Sequence, residues 1–222
     1  MSMIKEKKTI GIVGLGYVGL PLAVEFGKQR EVIAYDISDK RIKELKNYID
    51  ISGEIDKEEL NSAKYLNFTN SKKTLSKAEV FIITVPTPVD KNLKPDMSFL
   101  EKASALVGTI IRKGSIVIYE STVYPGATEE VCIPILQKTS KLKYNIDFFC
   151  GYSPERINPG DKKHKLKNII KITSGSTKKT SSEIDELYNE IIEAGTFNVS
   201  SIKVAEAAKV IENAQRDINI AF

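Results

Sequence analysis

Three glycines near the start of the chain, in Gly14-Leu15-Gly16-Tyr17-Val18-Gly19, constrain its fold more than any other feature. A G-x-G-x-x-G pattern is weak alone. Here it follows an apolar run over residues 9–13 and opens a stretch of helical periodicity. A second apolar run over residues 31–35 then ends in Asp36, about 20 residues beyond the second glycine. Strand, tight turn, helix, strand and acid together make the context of a dinucleotide-binding unit. Gly14 permits the turn, Gly16 lets the backbone approach a pyrophosphate, and Gly19 allows helix and strand to pack closely. The phosphates sit on the exposed N–H groups where Tyr17 and Val18 open the helix. Asp36 can accept hydrogen bonds from the adenosine ribose hydroxyls. A 2′-phosphate there would meet a like charge, so NAD is expected rather than NADP. Arg41, in the next helix, reads equally as a pyrophosphate contact or as a solvent-exposed helix arginine.

The same alternation continues along most of the chain. Further strands are expected over residues 65–69, 80–85, 115–120, 147–152 and 169–173. Helices are expected over 17–28, 40–48, 57–63, 98–112, 127–140 and 182–194. Runs such as Val80-Phe81-Ile82-Ile83-Thr84-Val85 are apolar on both faces, as central parallel strands covered by helices must be. The expected class is therefore α/β, a doubly wound, mostly parallel Rossmann-type sheet. Residues 203–222 read as one long C-terminal helix in which Val204, Ala207, Ala208, Ile211, Ala214, Ile218 and Ala221 recur at helical spacing. It reaches an apolar Phe222 with no capping glycine, terminal basic residue or proline, so the chain reads as cut. The domain reading is 1–200 for the nucleotide-binding unit and 201–222 for the start of a connecting helix.

At 222 residues and 41% hydrophobic content, the chain can bury a core without disulfides or metals. Two cysteines, Cys132 and Cys150, and one histidine, His164, exclude a disulfide framework or a Cys/His zinc cluster. The net charge of +4 comes mostly from lysines scattered between acids, which argues against a nucleic-acid partner. No apolar run reaches the length of a membrane span, and the run after Lys5, Lys7 and Lys8 lacks a cleavage site. A cytoplasmic protein is expected, with no membrane partner.

Three further segments follow expected strands: Val85-Pro86-Thr87-Pro88, Glu120-Ser121-Thr122-Val123-Tyr124-Pro125-Gly126, and Tyr152-Ser153-Pro154-Glu155-Arg156-Ile157-Asn158-Pro159-Gly160. With the glycine fingerprint, Lys209 and Asn213, the whole chain closely resembles the UDP-glucose/GDP-mannose dehydrogenase family. The Pro154–Gly160 segment is most similar to the branch that oxidises UDP-N-acetylhexosamines for surface polysaccharides. The resemblance implies oxidation of a sugar C6 alcohol to a carboxylate in two NAD-dependent steps, through a cysteine thiohemiacetal and thioester.

It also implies roles. Pro86, Thr87 and Pro88 stand beside the cofactor, and Thr122 near the nicotinamide and a reacting water. Glu155 handles a proton or activates water, the alternative being a structural salt bridge with Arg156 or a lysine. Lys209 and Asn213, four apart on one helix face, hold a developing oxyanion. Where the UDP-glucose branch has a second glutamate, this chain has Pro159, so the resemblance supplies one site carboxylate. The basic run Lys162, Lys163, His164, Lys165 and Lys167 is read as a solvated loop, with gripping of a substrate diphosphate as the alternative. Neither Cys132 nor Cys150 fits the family's nucleophile, which the resemblance places past residue 222 in a UDP-binding domain. The last helix is the family's dimerisation element, so a homodimer is expected of the full-length protein. Two other readings stay open: a stand-alone nucleotide-binding module, and a dehydrogenase of hydroxy acids.

Overall fold

A computed structural model of the chain describes residues 7–89, 91, 94–156 and 166–222. The first half runs β1 (Ile10–Val13), α1 (Gly19–Gly27), β2 (Val32–Tyr35), α2 (Asp39–Lys46), α3 (Lys57–Ser62), β3 (Leu66–Thr69), α4 (Lys72–Leu75) and β4 (Val80–Ile83). The second half runs α5 (Ser98–Gly108), β5 (Ile116–Tyr119), α6 (Ile133–Ser140), β6 (Phe149–Tyr152), β7 (Lys171–Gly175), α7 (Lys178–Asn189), β8 (Thr196–Asn198) and α8 (Ile202–Ala221). All eight strands join one sheet in the order β3-β2-β1-β4-β5-β6-β7-β8.

Every pairing is parallel except β6 with β7. β7 begins at Lys171, two residues later than the periodicity suggests, and runs backwards against β6, with Gly151 opposite Gly175 and Tyr152 opposite Ser174. The connection from Tyr152 to Lys171 is long enough for a parallel crossover, so its length does not set the direction of β7. The short edge strand β8 and the four-residue α4 lie outside the sequence expectation. Residues 127–140 are helical as expected, but Thr128–Cys132 form a π turn before α6. Pro134 there has no N–H to donate into the helix ladder.

The central strands are buried on both faces, as their sequence requires. Alternate residues point to opposite sides. Ile10, Ile12, Val32, Val80, Ile82 and Ile118 pack with Leu20, Leu22 and Phe26 of α1. Val13, Ile33, Phe81, Ile83, Val117 and Tyr119 pack with Leu100 and Val107 of α5 and Leu136 of α6. Each fully buried aliphatic or aromatic side chain of this kind contributes about 1.5–3 kcal/mol.

α8 forms where its periodicity marks a long helix. Its buried residues are Ile202, Ala205, Glu206 and Lys209. The face picked out by periodicity is instead open, with Val204, Ile211 and Ile218 exposed. A buried carboxylate decides the orientation: Glu206 accepts from the Gly126 N–H at 2.5 Å and the Thr128 N–H at 2.9 Å, at the start of the π turn. No helix among the described residues is long and apolar enough to cross a membrane.

Candidate active site

β1 has β2 on one side and β4 on the other, so the sheet order switches beside the carboxyl end of β1. Ligands of open α/β sheets bind at such a switch point. The loop leaving β1 is built for close approach. Gly14 has φ +98°, a left-handed backbone that L side chains rarely adopt. A Cβ on Gly19 would run into the Gly14 carbonyl oxygen and the Thr84 hydroxyl. That hydroxyl donates to the Gly14 carbonyl at 2.7 Å. Gly16 differs: no heavy atom lies within 4 Å of where its Cβ would stand. The start of α1 carries no acidic side chain and no side-chain cap, so its first N–H groups have no side-chain acceptor of their own. Tyr17 is exposed beside it and Val18 is buried. This cradle fits a dinucleotide pyrophosphate.

Asp36, at the end of β2, uses both oxygens. One accepts from the Leu15 N–H and the other from the Ser38 N–H, each at 2.9 Å. Each carboxylate oxygen keeps a lone pair for a further donor. Arg41 is tied into the protein and is not a freely exposed helix arginine. Its Nε donates to the Leu15 carbonyl at 3.0 Å, and it pairs with the buried Asp50 at 2.7 Å. Burial would raise the Asp50 carboxyl, but hydrogen bonds from Ser52, Arg41 and Ile55 hold it below the usual carboxylate range.

From Gly16 a cleft of about 390 Å3 runs across the carboxyl ends of β4 and β5 to Glu155 and Lys209. Pro86, Thr87, Pro88 and Thr122 line it. The Thr87 hydroxyl donates to the Thr122 carbonyl at 2.6 Å, and the Ser121 hydroxyl to the Val85 carbonyl at 2.5 Å, so the two loops are stitched together. The Thr122 side chain is exposed. Lys209 reaches the same cleft from α8, and burial lowers its ammonium below its ordinary value despite Glu212 and Glu155 nearby. Asn213 lies one turn further along and accepts from Arg216 at 3.1 Å; the cleft lining includes Lys209 but not Asn213.

Glu155 is buried and sits 3.0 Å from the Lys171 ammonium, while its other oxygen accepts from the Arg156 N–H at 2.6 Å. The ion pair weighed in the sequence is thus present, made by Lys171. The Arg156 guanidinium pairs instead with Glu212 at 2.8 Å. The same Lys171 ammonium lies 2.7 Å from Glu120, whose other oxygen accepts from the Tyr188 hydroxyl. Neither Glu120 nor Lys171 stood out in the sequence. The signal was the acid in Glu120-Ser121-Thr122, closing an otherwise apolar strand. Cys132 and Cys150 are both fully buried, and burial pushes the Cys132 thiol up to about 12 and Cys150 well above its usual value. Neither is a thiolate nucleophile here. Residues 157–160, Lys162, Lys163, His164 and Lys165 lie outside the described residues. Lys167 pairs with Glu25 at 3.1 Å.

The sequence profile of the UDP-glucose/GDP-mannose dehydrogenase family, NAD binding domain, matches residues 8–192. The chain belongs to this family. A UDP-N-acetyl-D-glucosamine 6-dehydrogenase of Salmonella typhi is 60% identical over 98% of this chain and 51% of that protein. Protein CapL of Staphylococcus aureus is 53% identical over 97% of this chain and 50% of its own length. Among solved structures, a UDP-D-ManNAc dehydrogenase from Pyrococcus horikoshii superposes with a TM-score of 0.87 at 34% identity, covering 96% of this chain and 51% of that one. A GDP-mannose dehydrogenase from Pseudomonas aeruginosa, solved as a ternary complex, also gives 0.87, at 26% identity over 95% and 50%. The chain spans about half the length of the curated relatives it matches. Within the family this is the NAD-binding, Rossmann-like domain, and NAD is its cofactor.

Proposed function

We propose that this chain is the NAD-binding half of a nucleotide-sugar 6-dehydrogenase. Its substrate is a UDP-N-acetylhexosamine whose C6 alcohol is oxidised to the uronic acid in two NAD-dependent steps. One observation supports this most: a single cleft joins the glycine loop to Glu155 and Lys209. A cofactor held at the loop and an alcohol held at Glu155 would then share one space.

In this reading Gly14, Gly16, Tyr17, Val18 and Gly19 cradle the pyrophosphate and Asp36 takes the ribose. Arg41 acts from behind, holding the Leu15 carbonyl so that the loop keeps its shape. Pro86, Thr87 and Thr122 border the nicotinamide end. Bound NAD supplies the hydride acceptor. Glu155 takes up the proton or orients water, and Thr122 holds that water. Lys209 stabilises developing negative charge, a contribution that for one donor is typically about 2.7–4 kcal/mol. Asn213, one turn beyond Lys209 on α8, is assigned to the same developing charge. The nucleophilic cysteine is assigned to no residue here, because Cys132 and Cys150 are buried. The complete protein acts in the cytoplasm as a homodimer.

Calorimetry with NAD and NADP tests the cofactor half of the reading. NAD is expected to bind more tightly than NADP, and Asp36→Ala to narrow that gap. Equal affinities in the parent chain would remove the Asp36 assignment. Incubation with UDP-N-acetylhexosamine and NAD tests the rest, with no NADH expected from the 222-residue chain alone.

A further inference from the structure

We propose that Glu120 and Lys171 are positioning residues for Glu155, and that the proton state of Glu120 sets how fully the Lys171 ammonium is committed to Glu155. The inference rests on the role proposed for Glu155 above and supplies a second site carboxylate where Pro159 supplies none.

The arrangement depends on strand direction. Glu120 follows β5 and Glu155 follows β6, both at the carboxyl ends of parallel strands. Lys171 is the first residue of β7. Because β7 runs antiparallel to β6, its first residue lies at that same end of the sheet. A parallel β7 would carry Lys171 to the opposite edge.

The side chains of Glu120, Lys171 and Glu155 are 0%, 3% and 7% exposed, so their charges act on one another without water between them. Tyr188, from α7, donates to Glu120 and places its ring 5.6 Å from the Lys171 ammonium. Lys209 faces Glu155 from α8, and Arg156 contacts it through its backbone N–H.

Two buried carboxylates share the one Lys171 ammonium at 2.7 and 3.0 Å, and a proton on either carboxylate leaves that ammonium to the other. Burial is the main force pushing Glu120 up to about 7, with Glu155 adding to it and Lys171 and Tyr188 opposing it. With Glu120 protonated, Lys171 has Glu155 as its one charged partner in this group. With Glu120 ionised, the ammonium is shared. The catalytic carboxylate would thereby be tuned in the neutral range by a residue that need not touch the substrate.

The test is NMR of the chain carrying 13C-labelled glutamate carboxyls and tyrosine rings, titrated from pH 5 to 9. The Tyr188 ring signal is expected to titrate near neutrality in the parent and to be flat in Glu120→Gln. Glu155 is expected to bind its proton at least tenfold more tightly in Lys171→Met/Glu120→Gln than in Glu120→Gln, since only the ammonium differs. The double variant removes both charges together, so no Glu120 carboxylate is left buried without its cation. A flat Tyr188 signal in the parent, a titration that survives Glu120→Gln, or equal Glu155 affinities in the two variants would overturn the proposal. Failure of the dehydrogenase reading shows separately, as a parent chain that titrates as described and binds no NAD.

Discussion

A methyl group on Gly19 would collide with the Gly14 carbonyl and the Thr84 hydroxyl, whereas one on Gly16 would meet nothing. The two substitutions should therefore separate stability from binding. Gly19→Ala is expected to cost about 1–3 kcal/mol in urea unfolding, through forced displacement of a packed turn. Gly16→Ala should change stability by no more than about 0.5 kcal/mol. It should nonetheless lower NAD affinity in calorimetry by an order of magnitude, because its open space is where the backbone must approach the ligand. Glu120 makes a residue-scale prediction in pH. Its folded-state pKa is raised, so the native state holds a proton that the unfolded chain releases more readily. The stability it contributes is complete below its unfolded value and is lost as pH rises through about 7. Unfolding free energy should fall between pH 5 and pH 7, and Glu120→Gln should flatten that slope. Asp50 has the opposite sign: its lowered carboxyl contributes stability that is complete above the ordinary carboxylate range and is lost as pH falls through that range to the lowered folded value.

At the scale of elements, α8 and β7 are where periodicity leaves most open. The periodicity of Val204, Ile211 and Ile218 is real, but Glu206 and Lys209 face inward. An apolar stripe contributes to burial only where something covers it, and along much of this helix nothing among the described residues does. The Glu206 carboxylate instead satisfies two backbone donors at the π turn. Glu206→Ala leaves the Gly126 and Thr128 N–H groups buried without that acceptor, at an expected cost of about 1–3 kcal/mol. Amide hydrogen exchange in the first two turns of α8 should accelerate with it. Exchange unchanged there would mean that apolar packing of Ile202 and Ala205 alone anchors the helix. β7 shows a different limit of sequence reading. Its alternation marks a strand, but its direction is set by how it pairs with β6, which periodicity does not carry.

Across the whole molecule, the sheet is covered on both sides along its central strands, and the exposed apolar surface includes the outer half of α8. Ile211, Ile218 and Ile220 are 66%, 56% and 77% exposed there. This is the surface through which the proposed homodimer would associate. Sedimentation velocity should show concentration-dependent association of the chain, and Ile218→Glu should return it to monomer. The cleft belongs to this scale as well, because its walls come from the loops after β1, β4, β5 and β6 and from α8, elements far apart in sequence. Pro86, Thr87 and Thr122 could be nominated from the sequence because each follows a strand, and strand ends converge in a doubly wound sheet.

The chain's residues determined by themselves the alternating α/β class, the two-faced apolar strands, the glycine loop and the Asp36 that closes the second strand. Those features rest on local requirements: a positive φ at Gly14, absence of a Cβ at Gly19, and side-chain periodicity along a strand or helix. What only the tertiary structure decided is which distant residues meet. It placed Lys171 between Glu120 and Glu155 through one reversed strand, and it turned α8 so that Glu206 and Lys209 face inward. It also closed off Cys132 and Cys150. Charge pairing and burial depend on strand direction and on helix rotation about its axis, and no spacing within a single segment encodes either.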